Sequence, residues 1–157
     1  MAAGATDKAL CLLEFTDRRM QQTQLETLQR RFRLPVLPTQ SPLFDRLRVE
    51  LGEYLSGKRR CFDLPMEYPG TDFQRQVWEA LLRIPYGETR SYAEVARELG
   101  NPAAGRAVGR ANGLNRIAIL IPCHRVINAD GGLGGYGGGL WRKLRLLETD
   151  SSSRSRA

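Results

Sequence analysis

A chain of 157 residues is long enough for one ordinary domain or two small ones with a real core. No apolar run in it approaches the length of about 18 residues that a membrane-spanning helix needs. A formal net charge of +7, carried mostly by arginine, favours anionic partners such as nucleic acid. Cys11, Cys61 and Cys123 are odd in number and irregularly spaced, which argues against a disulfide framework and for a reducing compartment. With a single histidine beside Cys123, the chain is also poorly supplied for a four-ligand zinc site, and no metal is expected. The N-terminus lacks a basic region followed by an apolar stretch, so no secretory leader is expected.

The first forty residues are weakly patterned. Ala9 to Phe15 is a short apolar run that suits a strand, whereas Leu25 to Phe32 shows little periodicity. "LPVLPTQSP" is a proline-punctuated connector. Ser41 and Pro42 then have the character of a helix N-cap and first helical residue. Phe44, Leu47, Leu51 and Tyr54 follow at helical spacing, and Gly57 can end that helix. "CFDLPMEYPG" reads as an extended linker, with a domain boundary near residue 68.

Helix signals then sharpen. Thr71 and Gln74 have capping-box spacing, and Phe73, Val77, Leu81 and Ile84 form one apolar face. Ser91 and Glu94 open a second capped helix that ends at Gly100, and Asn101-Pro102 starts another. Two short helices around a tight turn fit a helix-turn-helix or a plain helical hairpin. The second helix, "PAAGRAVGRANG", favours the former. Ala104, Val108 and Ala111 share its inner face, while Arg106 and Arg110 lie one turn apart on the other, among residues small enough for close backbone approach to a groove. A loop from Asn112 to Arg116 leads to the strand-like "IAILI". "NADGGLGGYGGG" is a glycine loop without the GK[ST] ending of a phosphate loop, so it reads as backbone that bends sharply beside a ligand. "LWRKLRLLETD" is a last helix with Leu140, Leu144 and Leu147 on one face. "SSSRSRA", residues 151–157, reads as a disordered tail.

The chemistry concentrates in "ILIPCHRVI", residues 119–127. A thiol of ordinary pKa reacts as its thiolate, and a neighbouring base raises that fraction. Cys123 and His124 are adjacent, so in extended backbone their side chains point to opposite faces. Cooperation between them needs a turn or a bridging water, and Pro122 supports a bend. Taken singly, a cysteine in an aliphatic stretch is a small core residue and a histidine a satisfied polar group. Together, between a buried stretch and a glycine loop, they make a candidate nucleophile and base.

"IPCHRVI", preceded by "GNPAAGRAVGRANGLN" and followed by "GGLGGYGGGLWRKLRLL", closely resembles the O6-alkylguanine-DNA alkyltransferases from about Thr71 to Leu147. The resemblance implies an α/β two-domain chain. Residues 1–68 would be a reduced, ribonuclease H-like N-terminal domain with linker, and residues 69–150 a mainly helical domain for DNA binding and alkyl transfer. It implies direct, irreversible repair, in which an alkyl group moves from O6 of guanine, with O4 of thymine as a further substrate, to Cys123. His124 would act as base through a water. Asn115 would tie the cysteine turn to the preceding helix, and Tyr92 would hydrogen-bond the flipped base and supply a proton. Arg106 would fill the vacated stack, and Tyr136 and Gly137 would shape the pocket. Arg110, Ala107 and Arg125 would join the DNA-contacting surface. The family orients its histidine with a glutamate in the last helix. Here Asp150 stands at the matching position with a shorter arm, and Glu148 is the alternative. The partner would be duplex DNA entered from the minor groove. The protein would act without cofactor, as a monomer, alone or in cooperative arrays, in the cytoplasm or a nucleus. Gly137 and its neighbours fit either a roomy pocket or a loop that closes.

Two rivals have other physical signatures. A lesion sensor of related sequence would lack the cysteine, which is present here. A helix-turn-helix regulator with an incidental thiol would need more groups for reading bases than Arg106 and Arg110 offer.

Overall fold

The computed structural model describes residues 1–18, 21–33 and 35–152. Among them the chain forms six α-helices and two small two-stranded sheets, an α/β arrangement. Strand β1 (Ala2–Ala5) pairs antiparallel with β2 (Leu10–Glu14). All five residues of β2 are buried, because the strand is covered along both edges. On the side away from β1, Leu10 accepts from Glu67 N at 2.8 Å and donates to Pro65 O at 2.9 Å. Further along, Leu13 donates to Arg116 O and accepts from Ala118 N, both at 2.8 Å. The β2 backbone thus gathers the segment read as a linker and the chain that leads into Pro-Cys-His-Arg.

Helix α1 (Gln21–Phe32) was not legible as a helix. Its buried stripe is Gln24 and Leu28, and a polar residue at one of two inward positions erases the periodicity. Gln24 is accommodated there because its Nε2 donates to the buried Glu14 carboxylate at 3.3 Å. Helix α2 (Pro42–Leu55) starts as expected, with Ser41 Oγ accepting from Leu43 N, and buries Leu47, Glu50 and Tyr54. Residues 61–70 carry Leu64 into the core. Gly70 is obligatory: a Cβ there would lie 2.7 Å from the Trp78 ring.

Helices α3 (Asp72–Leu82) and α4 (Tyr92–Glu98) both begin with complete capping boxes, Thr71 with Gln74 and Ser91 with Glu94. Strand β3 (Arg90–Ser91) pairs in parallel with β4 (Val126–Ile127), a two-residue contact too short to be read from a sequence. Gly100 turns the chain at a φ of 74°, and a 3-10 turn at Pro102–Ala104 leads into α5 (Gly105–Gly113). Helices α3, α4 and α5 pack on one another. Trp78, buried among them, donates its indole N–H to Ala111 O at 2.9 Å. A single buried cluster runs from Leu10, Leu13, Leu47 and Leu64 through Trp78, Val95 and Val108 to Ile121 and Val126, and so draws on both sides of residue 68. No helix among the described residues is long and apolar enough to cross a membrane.

Two readings are corrected. "IAILI" is not a strand. Ile117 and Ala118 pair with Leu13, and the chain then doubles back through Ile119 at φ 73°, with Ile121 N donating to Ile117 O at 3.0 Å. The residues are apolar because the turn is buried, not because it is extended. The second correction concerns α6 (Leu140–Ser152), which turns Lys143, Leu146 and Asp150 inward. Leu140, Trp141 and Leu144 are instead 51%, 65% and 46% exposed. The helix also runs two residues into the expected tail; residues 153–157 lie outside those described.

The inward face of α6 is set by polar satisfaction. The buried Lys143 ammonium donates to Val126 O at 2.5 Å, to Leu133 O, and to Gly135 O at 3.4 Å. It pins the glycine loop to the strand that follows the cysteine. Replacing it by methionine, which keeps the volume, leaves three carbonyls short of a donor. We expect Lys143→Met to destabilise the fold by about 2–3 kcal/mol, read as a lower urea midpoint at unchanged slope.

Candidate active site

The turn carrying Cys123 is closed by one carboxamide. Asn115, just past α5, accepts from Ile117 N at 2.9 Å through Oδ1, and its Nδ2 donates to Ile121 O at 3.0 Å and to Cys123 Sγ at 3.1 Å. A second amide, Asn112 Nδ2, reaches Cys123 O at 3.4 Å. Pro122 does bend the chain, and residues 123–125 form one 3-10 turn. The thiol is therefore held from the end of α5 while its own backbone turns away. Burial pushes the Cys123 thiol up, and the Asn115 hydrogen bond works against that. At neutral pH the resting group is a thiol, poised against a donor that favours its anion.

His124 is fully buried. Tyr54 Oη donates to Asp150 Oδ1 at 2.5 Å and lies 3.3 Å from His124 Nε2, which is 3.4 Å from Asp150 Oδ2. Since the phenol proton is committed to Asp150, Nε2 is the nitrogen that carries hydrogen. Nδ1 is then the basic nitrogen, and it is buried with no hydrogen-bond partner among the described residues. Burial lowers the His124 pKa below its ordinary value of 6.5, with Asp150 opposing, so the ring is neutral at pH 7 and able to take a proton. Burial pushes the Asp150 carboxyl up, but its contacts with His124, Tyr54 and Arg125 outweigh that and keep it ionised.

Asp150, not Glu148, is the carboxylate at the histidine; Glu148 is exposed and pairs with Arg145 at 3.1 Å. Arg125, grouped with the DNA-contacting residues on the sequence, lies inside this network. Its Nε donates to Asp150 at 2.7 Å, one terminal nitrogen donates to Ile84 O at 2.8 Å, and the guanidinium stacks on Tyr86 at 5.5 Å. Tyr54 and Asn112 are members the sequence reading missed. Tyr54 was taken for one more apolar position of α2, and Asn112 for the start of a loop.

Cys123 opens onto a cavity of about 340 Å³ that Asn115, Tyr92, Tyr136 and Gly137 also line. The expected nucleophile, its amide holder and both expected pocket tyrosines are thus brought together. Burial raises the pKa of both phenols, and a negative charge on Cys123 would raise it further, so both stay protonated donors. The Tyr136 hydroxyl is buried with no partner among the described residues. Gly109, Asn112 and Gly113 of α5 complete one side, and Glu14, Phe15 and Arg18, which no sequence signal flagged, complete another. Arg106, Ala107 and Arg110 are exposed on α5, and neither guanidinium has a bonding partner among the described residues.

Residues 72–152 match the family described as "6-O-methylguanine DNA methyltransferase, DNA binding domain". The chain is 58% identical over 103 residues to the methylated-DNA–protein-cysteine methyltransferase of Mycobacterium bovis, covering 66% of this chain and 62% of that protein. It thus spans less than two thirds of that relative's length. It is 45% identical over 130 residues to the inducible methylated-DNA–protein-cysteine methyltransferase of Bacillus subtilis, covering 83% and 73% of the two chains. Among solved structures, Mycobacterium tuberculosis OGT in complex with DNA superposes with a TM-score of 0.81 at 43% identity, covering 96% of this chain and 85% of that one. With half of its residues inside that domain and a relative 45% identical along most of both lengths, the protein belongs to the 6-O-methylguanine DNA methyltransferase family.

Proposed function

We propose that this protein repairs DNA by moving an alkyl group from O6 of guanine to Sγ of Cys123, once per molecule. The observation that carries the reading is a buried thiol, hydrogen-bonded by Asn115 at 3.1 Å, facing a cavity lined by two protonated tyrosines at the edge of α5. In the step, the Sγ–C bond forms as the C–O6 bond breaks, and the electron pair leaves on the purine. The thiol proton passes through a water to His124 Nδ1. Tyr92 donates a proton to the leaving purine and recovers one through solvent, so the balance closes with side chains and water alone. The thioether has no further acceptor, hence the single turnover. O4 of an alkylated thymine offers the same bond to break and is a second substrate on this reading.

O6 of a stacked guanine is out of reach of a thiol at the bottom of a cavity. The nucleotide has to leave the helix, at a cost of a few kcal/mol that a weakened pair reduces. The exposed face of α5 suits that task. Gly105, Ala107 and Gly109 permit close approach to the minor groove, where sequence reading is degenerate, as a scanner for one lesion requires. Arg106 fills the vacated stack, and Arg110 meets phosphate. Arg125 and Tyr54 are assigned as positioning residues for Asp150. The β1–β2 hairpin followed by α1 supports reading residues 1–68 as a reduced ribonuclease H-like domain. The protein acts as a monomer where the genome lies, in the cytoplasm or a nucleus.

Incubation with excess duplex carrying O6-methylguanine adds one methyl to the intact mass, and Cys123→Ala abolishes the gain. Binding without gain would indicate a sensor, and indifference to the lesion a regulator. Because burial holds His124 below 6.5, the acid limb of the transfer rate lies below pH 6.5. Asp150→Asn removes the anion that favours the imidazolium, so the limb moves lower still while the plateau rate falls about 10- to 100-fold. An unmoved limb in a stopped-flow pH profile would remove His124 as base. Arg106→Ala lowers transfer from duplex more than binding to undamaged duplex, and equal losses would eliminate the wedge.

A further inference from the structure

Resting on the proposed transfer reaction, we infer that Phe15 and Arg18 set the size of the alkyl group this protein accepts. Neither residue lies in the matched domain, yet both line the cavity that holds Cys123. The glycines of the pocket loop do not leave open room. A Cβ on Gly137 would fall 2.5 Å from the Arg18 guanidinium carbon, and one on Gly138 would fall 2.5 Å from the Phe15 ring. The side-chain space of both glycines is filled from the N-terminal segment.

That filling is fastened on several sides. Arg18 pairs with the buried Glu14 carboxylate and donates to Gly113 O at 2.5 Å and Asn115 O at 3.3 Å, which ties it to the end of α5. Phe15 meets Tyr136 edge-on at 6.3 Å, and the Arg142 guanidinium lies over the Phe15 ring at 4.5 Å. Arg142 also donates to Gly138 O at 2.7 Å and to Asp17 at 2.9 Å. Glycine loop and N-terminal turn therefore form one laminated wall, and the wall is rigid where a growing alkyl chain would press on it. A purine with a methyl on O6 leaves this wall in place, whereas a benzyl group requires the volume that Phe15 and Arg18 occupy.

The test compares second-order transfer rates from duplexes carrying O6-methylguanine and O6-benzylguanine. Phe15→Ala and Arg18→Ala are expected to raise the benzyl-to-methyl ratio by about tenfold, the scale on which an apolar pocket discriminates size. Gly137→Ala is expected to slow methyl transfer in the wild-type background and to slow it less with Arg18→Ala, because the clash is then gone. An unchanged ratio with both rates falling together would mean a merely structural wall and would overturn the inference. Should either alanine variant fail to fold by circular dichroism, Phe15→Leu reads the same ratio. A wild-type protein that takes no methyl from duplex removes the transfer reaction itself, an outcome distinct from an active wild type whose ratio does not move.

Discussion

One carboxamide holds the reactive turn. Asn115 satisfies a buried N–H at Ile117 and a buried C=O at Ile121 while still reaching the sulfur of Cys123. The three residues between Ile117 and Ile121 include Ile119, a β-branched residue at φ 73°. Such a conformation costs of order 1–3 kcal/mol and persists only where its surroundings over-determine it. Here the surroundings are Leu13 of β2 on one side and the end of α5 on the other. Without the amide, the Ile117 N–H would lie unpaired in an apolar core, Ile121 O would keep only its bond from Cys123 N at 2.7 Å, and the thiol would lose the donor that favours its anion.

Burial dominates the electrostatics of the site and acts on each partner in a useful direction. It keeps the thiol protonated, the imidazole neutral and the two pocket phenols intact. Nothing in the resting site carries the charge that the reaction creates, so the groups around it must move protons when it proceeds. The charged members are held as ion pairs, Arg18 with Glu14 at the cavity wall and, behind His124, Arg125 with Asp150 at 2.7 Å. Asp150 meets His124 at Nε2, which leaves Nδ1 for the proton.

The N-terminal segment has the least interpretable sequence and yet a direct place at the cavity. Its strand β2 docks the reactive turn, and the residues that follow β2 fill the hollows of the glycine loop. Polar residues in structural positions explain why this was hidden. Gln24 and Glu14 face inward because they bond each other and Arg18, and a hydrophobic pattern cannot register a stripe that is satisfied by hydrogen bonds. The same holds for α6, where Leu140, Leu144 and Leu147 suggested one face and Lys143 with Asp150 selected another.

Local chemistry was readable from the residues themselves. Both capping boxes, the proline start of α2, the glycine turn at Gly100 and the bend at Pro122 depend on neighbours within a few positions, so short-range spacing is enough to reveal them. The tertiary structure alone decided that "IAILI" turns back on itself, that Arg125 points inward to Asp150, that Tyr54 joins a histidine 70 residues away, and that Phe15 and Arg18 wall the cavity. Each of those depends on whether a buried polar group finds a partner far along the chain, and that partner is specified only once the backbone has closed around it.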